Sequence, residues 1–142
     1  MDPNEFFNLA LDLTQGSPSP AKKRTAVSRA YYASHHIGAN VIETLGGRVG
    51  GGSSAHGNVF NSLCGCGVTE VAKLGEKIRS LHGWRRKADY DLSNTLVEKD
   101  SNVQQVLLYA TEIKNKLEQL CLYSSDKDQI KEGILQYLKE NT

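Results

Sequence analysis

The sequence holds no apolar run near the roughly 18 residues that a bilayer-spanning helix requires. Its first stretch, MDPNEFFNLALDL, carries acids where an export leader carries basic residues. Neither a membrane partner nor secretion is expected, and a cytoplasmic location is. Cysteine is scarce: Cys64, Cys66 and Cys121 are an odd set of three, which excludes a disulfide framework. Charge of one sign is lacking as well. Seventeen basic against sixteen acidic residues leave a formal net charge of +1, so any binding of phosphate must be local. Period-two alternation is also missing, which excludes an extended sheet. What is present is helical periodicity from end to end, in a chain of 142 residues, a length suited to one domain spanning 1–142.

The expected class is all-α, an up-and-down bundle of four to five helices with an extra C-terminal helix. The first helix, NEFFNLALDL, places Phe6, Leu9, Ala10 and Leu13 at helical spacing behind an Asp2–Pro3 start. Gly16, Pro18 and Pro20 interrupt it. A second helix runs from about Pro20 to Leu45 with Val27, Ala30, Tyr31, Ser34, Ile37, Val41 and Leu45 inward. GGRVGGGSS is a flexible loop; no Gly-Lys-Ser/Thr follows, so it is not a phosphate cradle. Ser53 or Ser54 caps a short helix through HGNVFNSL, and Thr69 caps a helix from Glu70 to about Ala88. YDLSNTLVEKD is a polar connection. Ser101 and Gln104 form a capping box for a helix burying Val103, Val106, Leu107, Ala110, Ile113, Leu117 and Leu120. A last helix, about Asp126 to Lys139, buries Ile130, Ile134, Tyr137 and Leu138.

The CGCG stretch, with His56 and His82 elsewhere, invites a zinc reading. Cys-x-Cys is tighter than the usual knuckle spacing, so the cysteines read as small, reduced loop thiols and no metal or cofactor is expected.

One position breaks the pattern. The stripe Leu74, Ile78, Leu81 continues onto Arg85, a permanent charge where leucine is due. An unpaired buried guanidinium costs several kcal/mol. Arg85 therefore either pairs with Asp89 at i+4 or opens onto a groove that an anion enters. The second helix offers a matching cluster, SRAYYASHH. Ser28, Tyr32 and His35 share one side, while Arg29, Tyr32 and His36 share an overlapping one. Facing Arg85, Arg86, Asp89 and Tyr90, these residues suit a phosphate or nucleotide site as well as they suit packing. AKKR at 21–24 reads as a solvated helix end.

The blocks RTAVSRAYYASHHIGANVI, HGNVFNSL and WRRKADYDL resemble the small prokaryotic HEPN domains (higher eukaryotes and prokaryotes nucleotide-binding), over about residues 5–120; the helix at 126–140 lies outside. The resemblance implies a helical bundle that pairs into a homodimer. It also implies metal-independent ribonuclease activity, often as a toxin restrained by a nucleotidyltransferase-fold antitoxin in a toxin–antitoxin or defence pair. Such proteins carry arginine, four to six residues, then histidine. Here Arg85 is followed after four residues by Tyr90. Cleavage through the 2′-hydroxyl needs proton exchange near neutrality, and tyrosine, near 10, is a poor base. His36, His35 or His82 would have to carry the proton, with Arg85, Tyr90 and His36 as the catalytic set. Ser28, Arg29, Tyr32, His35, Arg86 and Asp89 would bind the nucleotide or RNA. On a regular helix Arg85 and Tyr90 stand roughly 140° apart, so either the helix unwinds near Asp89 or Arg86 is the partner. The competing expectations are a non-catalytic nucleotide- or partner-binding regulatory module, and a scaffold in which Arg85 and Asp89 form a routine pair.

Overall fold

The computed structural model describes residues 1–141. It is helical, with no strand among them: α1 (Asn4–Leu13), α2 (Pro20–Thr44), α3 (Ser54–Cys64), α4 (Thr69–Tyr90), α5 (Asp100–Glu118) and α6 (Lys127–Glu140). A short 3₁₀ turn, Thr95–Glu98, lies between α4 and α5, and a π turn, Gln119–Tyr123, follows α5. Among the described residues no helix is long and apolar enough to cross a membrane.

α2 is the central rod. Ser19 starts it, its hydroxyl accepting the Lys22 N–H at 3.3 Å, with Pro20 at the first helical position. Alanines 26, 30 and 33 and Gly38 keep its surface low, and α1, α4 and α5 all pack on it. Gly38 is required where α2 crosses α3: a Cβ there would meet Val59 Cγ1 at 2.7 Å. Fully buried Tyr31, Ile42, Ile78, Leu81, Ile113 and Leu117 fill the space around it. Each such side chain contributes roughly 1.5–3 kcal/mol by leaving water. α6 closes the core with Ile130, Ile134 and Leu138, lying against α3 and the π turn. Its close approach depends on Gly133, where a Cβ would sit 1.9 Å from the Cys66 carbonyl oxygen. Because that neighbour is backbone, Gly133→Ala is expected to cost at least 1–3 kcal/mol. The measurement is urea unfolding, in which the midpoint falls.

Several local expectations are corrected. α1 turns Phe7 inward and leaves Leu9 43% exposed, because its inner face runs through Phe7 and Ala10. Asp2 does act at the start, its carboxylate accepting the Asn4 N–H at 2.9 Å. Thr69 does not cap α4 but is its first residue, after extended Val68, and the helix continues past Ala88 to Tyr90. Neither Ser53 nor Ser54 accepts a capping bond; Ser54 Oγ donates to Gly51 O at 3.5 Å. The Ser101–Gln104 capping box does not form, because α5 already begins at Asp100. YDLSNTLVEKD is more than a polar connection: Asn94 accepts the Leu96 N–H and Val97 is buried. The cysteines are free thiols, and of the pair in CGCG only Cys66 stands in the loop between α3 and α4. Cys64 ends α3, Cys66 and Cys121 are buried, and desolvation pushes the Cys64 thiol up to about 11 and Cys121 to about 12.

Candidate functional site

Two buried guanidiniums reach the C-terminal half of α4, and their surroundings are opposite in kind. Arg24, 8% exposed, enters from the first turns of α2 and is not the solvated end that AKKR suggests. Its Nε donates to Glu98 Oε2 at 2.7 Å. Nη1 donates to the carbonyls of Lys87, Ala88 and Asp91, each at 3.1 Å. Nη2 donates to Leu92 O at 3.3 Å and Asn94 O at 2.8 Å, and lies 2.7 Å from Glu98 Oε2. Thus Arg24 gathers carbonyls from the end of α4 and the turn after it, of which Lys87 O and Asp91 O also accept a backbone N–H, and holds the 3₁₀ turn against the helix. Every donor of the fork is used.

Arg85 is equally buried, at 6% exposed, but unfinished. Among the described residues its only carboxylate is Asp89, with Nη1 3.7 Å from Oδ2, long for a charge-assisted bond. Nε is buried without a hydrogen-bond partner. Rings surround the rest: Cζ lies 5.5 Å from the centroid of Tyr31, 5.4 Å from Tyr32 and 5.7 Å from Tyr90. These faces favour a cation, but they do not accept an N–H as an oxyanion does. The Asp89 carboxylate is shared with Ser28, whose hydroxyl donates at 3.1 Å, and Arg29 Nη2 donates to Ser28 Oγ at 3.3 Å. Tyr90 lies beside Arg85 although α4 stays helical through it, so the unwinding is not needed; the long arginine side chain spans the angle. Arg86 points outward and is exposed.

All four histidines of the chain collect here, from three helices. His35 of α2 lies 4.7 Å from His56 of α3, and His56 lies 5.3 Å from His82 of α4. His36 is 5.3 Å from His35 and stacks on Tyr32 at 6.2 Å. Tyr31 sits at their centre, its hydroxyl hydrogen-bonded to His56 Nδ1 at 2.5 Å. Arg29 Cζ is held over Phe6 at 4.8 Å and Tyr32 at 5.0 Å. A cleft of about 290 Å³, lined by Met1, Pro3, Phe6, His36 and Asn40, adjoins the cluster through His36.

Crowding sets the charge state. Desolvation first, then the neighbouring histidines and Arg85, lower His35 to about 4; desolvation, His56 and Arg85 lower His82 to about 4. His36 and His56 shift the same way, mainly by desolvation. Burial raises the Tyr31 hydroxyl well above the usual tyrosine range, so it stays protonated and donates to His56 Nδ1. The neutral His56 ring then carries its proton on Nε2, as a donor.

A stability prediction follows. Unfolded histidines bind protons near 6.5, while His35 and His82 bind them near 4 in the folded chain. Between those values the unfolded state holds more protons, so stability is full above about 6.5 and is lost as pH falls towards 4. About 2 kcal/mol is expected to go between pH 7 and pH 5 from His35 alone, with a smaller addition from the half-buried, solvent-screened His82. Denaturant melts at both pH values measure it; equal stabilities would contradict the cluster.

The sequence brings Ser28, Arg29, Tyr32, His35, His36, Arg85, Asp89 and Tyr90 to one place, as expected, with Arg86 at its edge. His82 stood in the sequence as a candidate proton carrier, one turn before Arg85, but there was little notice of His56 or of Tyr31's bond to it beyond the histidine that opens HGNVFNSL. Among the described residues no group of three or more histidine, cysteine or acidic side chains is arranged to hold a metal. Comparison with protein-family models, curated proteins and solved structures finds no match to this chain.

Proposed function

We propose that this chain is a HEPN-type helical protein that binds the phosphate of a nucleotide or RNA at Arg85, in a groove completed by a second copy. The observation that carries the reading is the buried Arg85 Nε with no hydrogen-bond partner, set among neutral imidazoles and one shared carboxylate. A buried donor without an acceptor costs about 1–3 kcal/mol, more for a charged group, and a phosphate oxygen removes that cost. The sequence blocks that resemble HEPN domains support the same reading. So does the exposed apolar surface at the end of α4, where Tyr90, Leu92 and Leu96 are 75%, 76% and 59% exposed and a second copy would cover them. A nucleotidyltransferase-fold antitoxin in a toxin–antitoxin pair is the further partner that the resemblance implies.

As a metal-independent ribonuclease the site would work with Arg85, Tyr90 and His36. Arg85 holds the phosphate, and neutral His36, exposed at the cluster's edge, takes the 2′-hydroxyl proton. The 2′-oxygen–phosphorus bond forms, the bond to the 5′-oxygen breaks, and the Tyr90 hydroxyl gives its proton to that leaving oxygen. A second reading, a non-catalytic nucleotide- or partner-binding module, is favoured by one observation. All four histidines are shifted towards the neutral form, so none is a ready acid at pH 7.

One experiment separates these. Purified protein is mixed with total RNA in EDTA, and mobility shift and RNA length are both read. Retardation that is lost in Arg85→Ala supports phosphate binding. Shortened RNA that disappears in the same variant adds the nuclease, while intact RNA leaves the binding module. RNA that neither shifts nor shortens with the wild-type chain overturns the RNA arm, and no effect of any nucleotide on its melting temperature overturns the nucleotide arm.

A further inference from the structure

We infer that the Arg85 site takes a dianionic phosphate end group, not an internal phosphodiester, and that the histidine cluster gains a proton as the ligand enters. The inference rests on the phosphate-binding reading and not on cleavage.

Two side chains that are more than nine-tenths buried present polar atoms here with no partner: Arg85 Nε and His35 Nδ1. The first is always a donor. The second becomes an obligatory donor once the ring is protonated, because an imidazolium has a hydrogen on both nitrogens. His56 contributes a third donor, Nε2–H, since Tyr31 occupies its Nδ1. These groups come from α2, α3 and α4 and make a donor set that belongs to none of the helices alone. The His35 and His56 rings lie 4.7 Å apart by centroid, and the charge of Arg85 acts on both.

The charges around the cluster decide what kind of anion fits. On α4, Asp89 answers Arg85 only in part, from 3.7 Å and shared with Ser28, and Arg86 acts on His82 from the outer face. On α2, Arg29 stands near His36 and over the Tyr32 ring, while burial keeps Tyr31 protonated. α3 supplies only His56. With neighbouring imidazole centroids 4.7 to 5.3 Å apart, charging one ring sets it against Arg85 and the other rings. A ligand that supplies one negative charge answers Arg85 alone. A ligand that supplies two answers Arg85 and one histidinium together. A phosphodiester has a single charge, whereas a terminal phosphate has about −1.5 to −2 near neutrality. Desolvation and crowding keep the rings neutral, and the dianion brings the reason for one of them to change. Binding is therefore tied to proton uptake.

Because phosphate also titrates near 6, the protein's own proton is read with inorganic sulfate, whose charge is constant over the working range. Isothermal titration at pH 7 in two buffers of different ionisation enthalpy counts protons taken up per sulfate bound. The expected value approaches one, and sulfate affinity rises several-fold, up to about tenfold, for each unit that pH falls between 7.5 and 5.5. AMP is expected to bind at least tenfold more tightly than the dinucleoside monophosphate ApA. A 5′-phosphorylated oligoribonucleotide against its unphosphorylated twin then tells whether an RNA end or a free nucleotide supplies the group. His35→Gln with His82→Gln should remove the pH dependence; if that pair fails to fold, the wild-type pH series decides alone. Sulfate binding without proton uptake, or AMP and ApA of equal affinity, overturns this inference and leaves phosphate binding standing. No binding of sulfate, AMP or RNA overturns both.

Discussion

Arg24→Met is expected to lose about 3–5 kcal/mol of folding stability, enough to lower the melting temperature by about 10 °C or more. The number follows from what the substitution leaves behind. Glu98 keeps its negative charge beside a thioether, with its side chain only 22% exposed. The carbonyls of Ala88, Leu92 and Asn94 lose the side-chain donor, while those of Lys87 and Asp91 keep only a backbone N–H. Unsatisfied acceptors at a buried helix end are costly, and water reaches only the outer ones. Lysine does not rescue the site, since one ammonium cannot reach carbonyls that the planar fork meets from both nitrogens. Thermal melts of Arg24→Met and Arg24→Lys measure this; a shift under about 3 °C in both would show the network to be dispensable.

The second large effect is on binding and runs the other way in stability. Arg85→Met is expected to fold with nearly wild-type stability, within about 1 kcal/mol, because it removes a buried charge whose own pairing is poor. Methionine packs among Tyr31, Tyr32 and Tyr90 with little change in shape, and sulfur–aromatic contacts replace the cation contacts. Phosphate affinity should fall at least a hundredfold, the loss expected when a desolvated charged donor is taken from an anion. Asp89, 31% exposed and still bonded by Ser28, stays solvated enough to tolerate the loss. Calorimetric titration with AMP measures the loss; an unchanged affinity in Arg85→Met would place the anion elsewhere.

The contrast between these arginines explains what was legible in the sequence. Arg85 announced itself, because the stripe through Leu74, Ile78 and Leu81 ends on it and periodicity is a local signal. The helices themselves were legible for the same reason, as were Asp2, Pro20 and the inward face of α5. Arg24 was hidden. It stands in the first turns of α2 beside two lysines, where a charged end is ordinary, and its partners are mostly backbone carbonyls some sixty to seventy residues away, which carry no residue-type signature. The convergence of His56 and His82 on Tyr31 was hidden for a related reason. It depends on how α3 crosses α2 at Gly38, a packing fact that no single helix contains. Leu9 misled because α1 is apolar on more than one side, and Phe7 won the inner face by its larger area. Capping failed at Thr69, where the helix starts one residue earlier, and at Ser101, where it starts two residues earlier, within the usual margin for a helix boundary.

The most direct measurement is a set of thermal melts of the wild-type chain, Arg24→Met and Arg85→Met, each with and without excess inorganic phosphate. Phosphate should raise the wild-type melting temperature, raise that of the weakened Arg24→Met by a similar increment, and leave Arg85→Met, itself nearly as stable as wild type, unmoved. If Arg85→Met instead collapses as Arg24→Met does, and phosphate shifts none of the three, both guanidiniums are scaffolding and the unfilled donor at Arg85 Nε receives no anion.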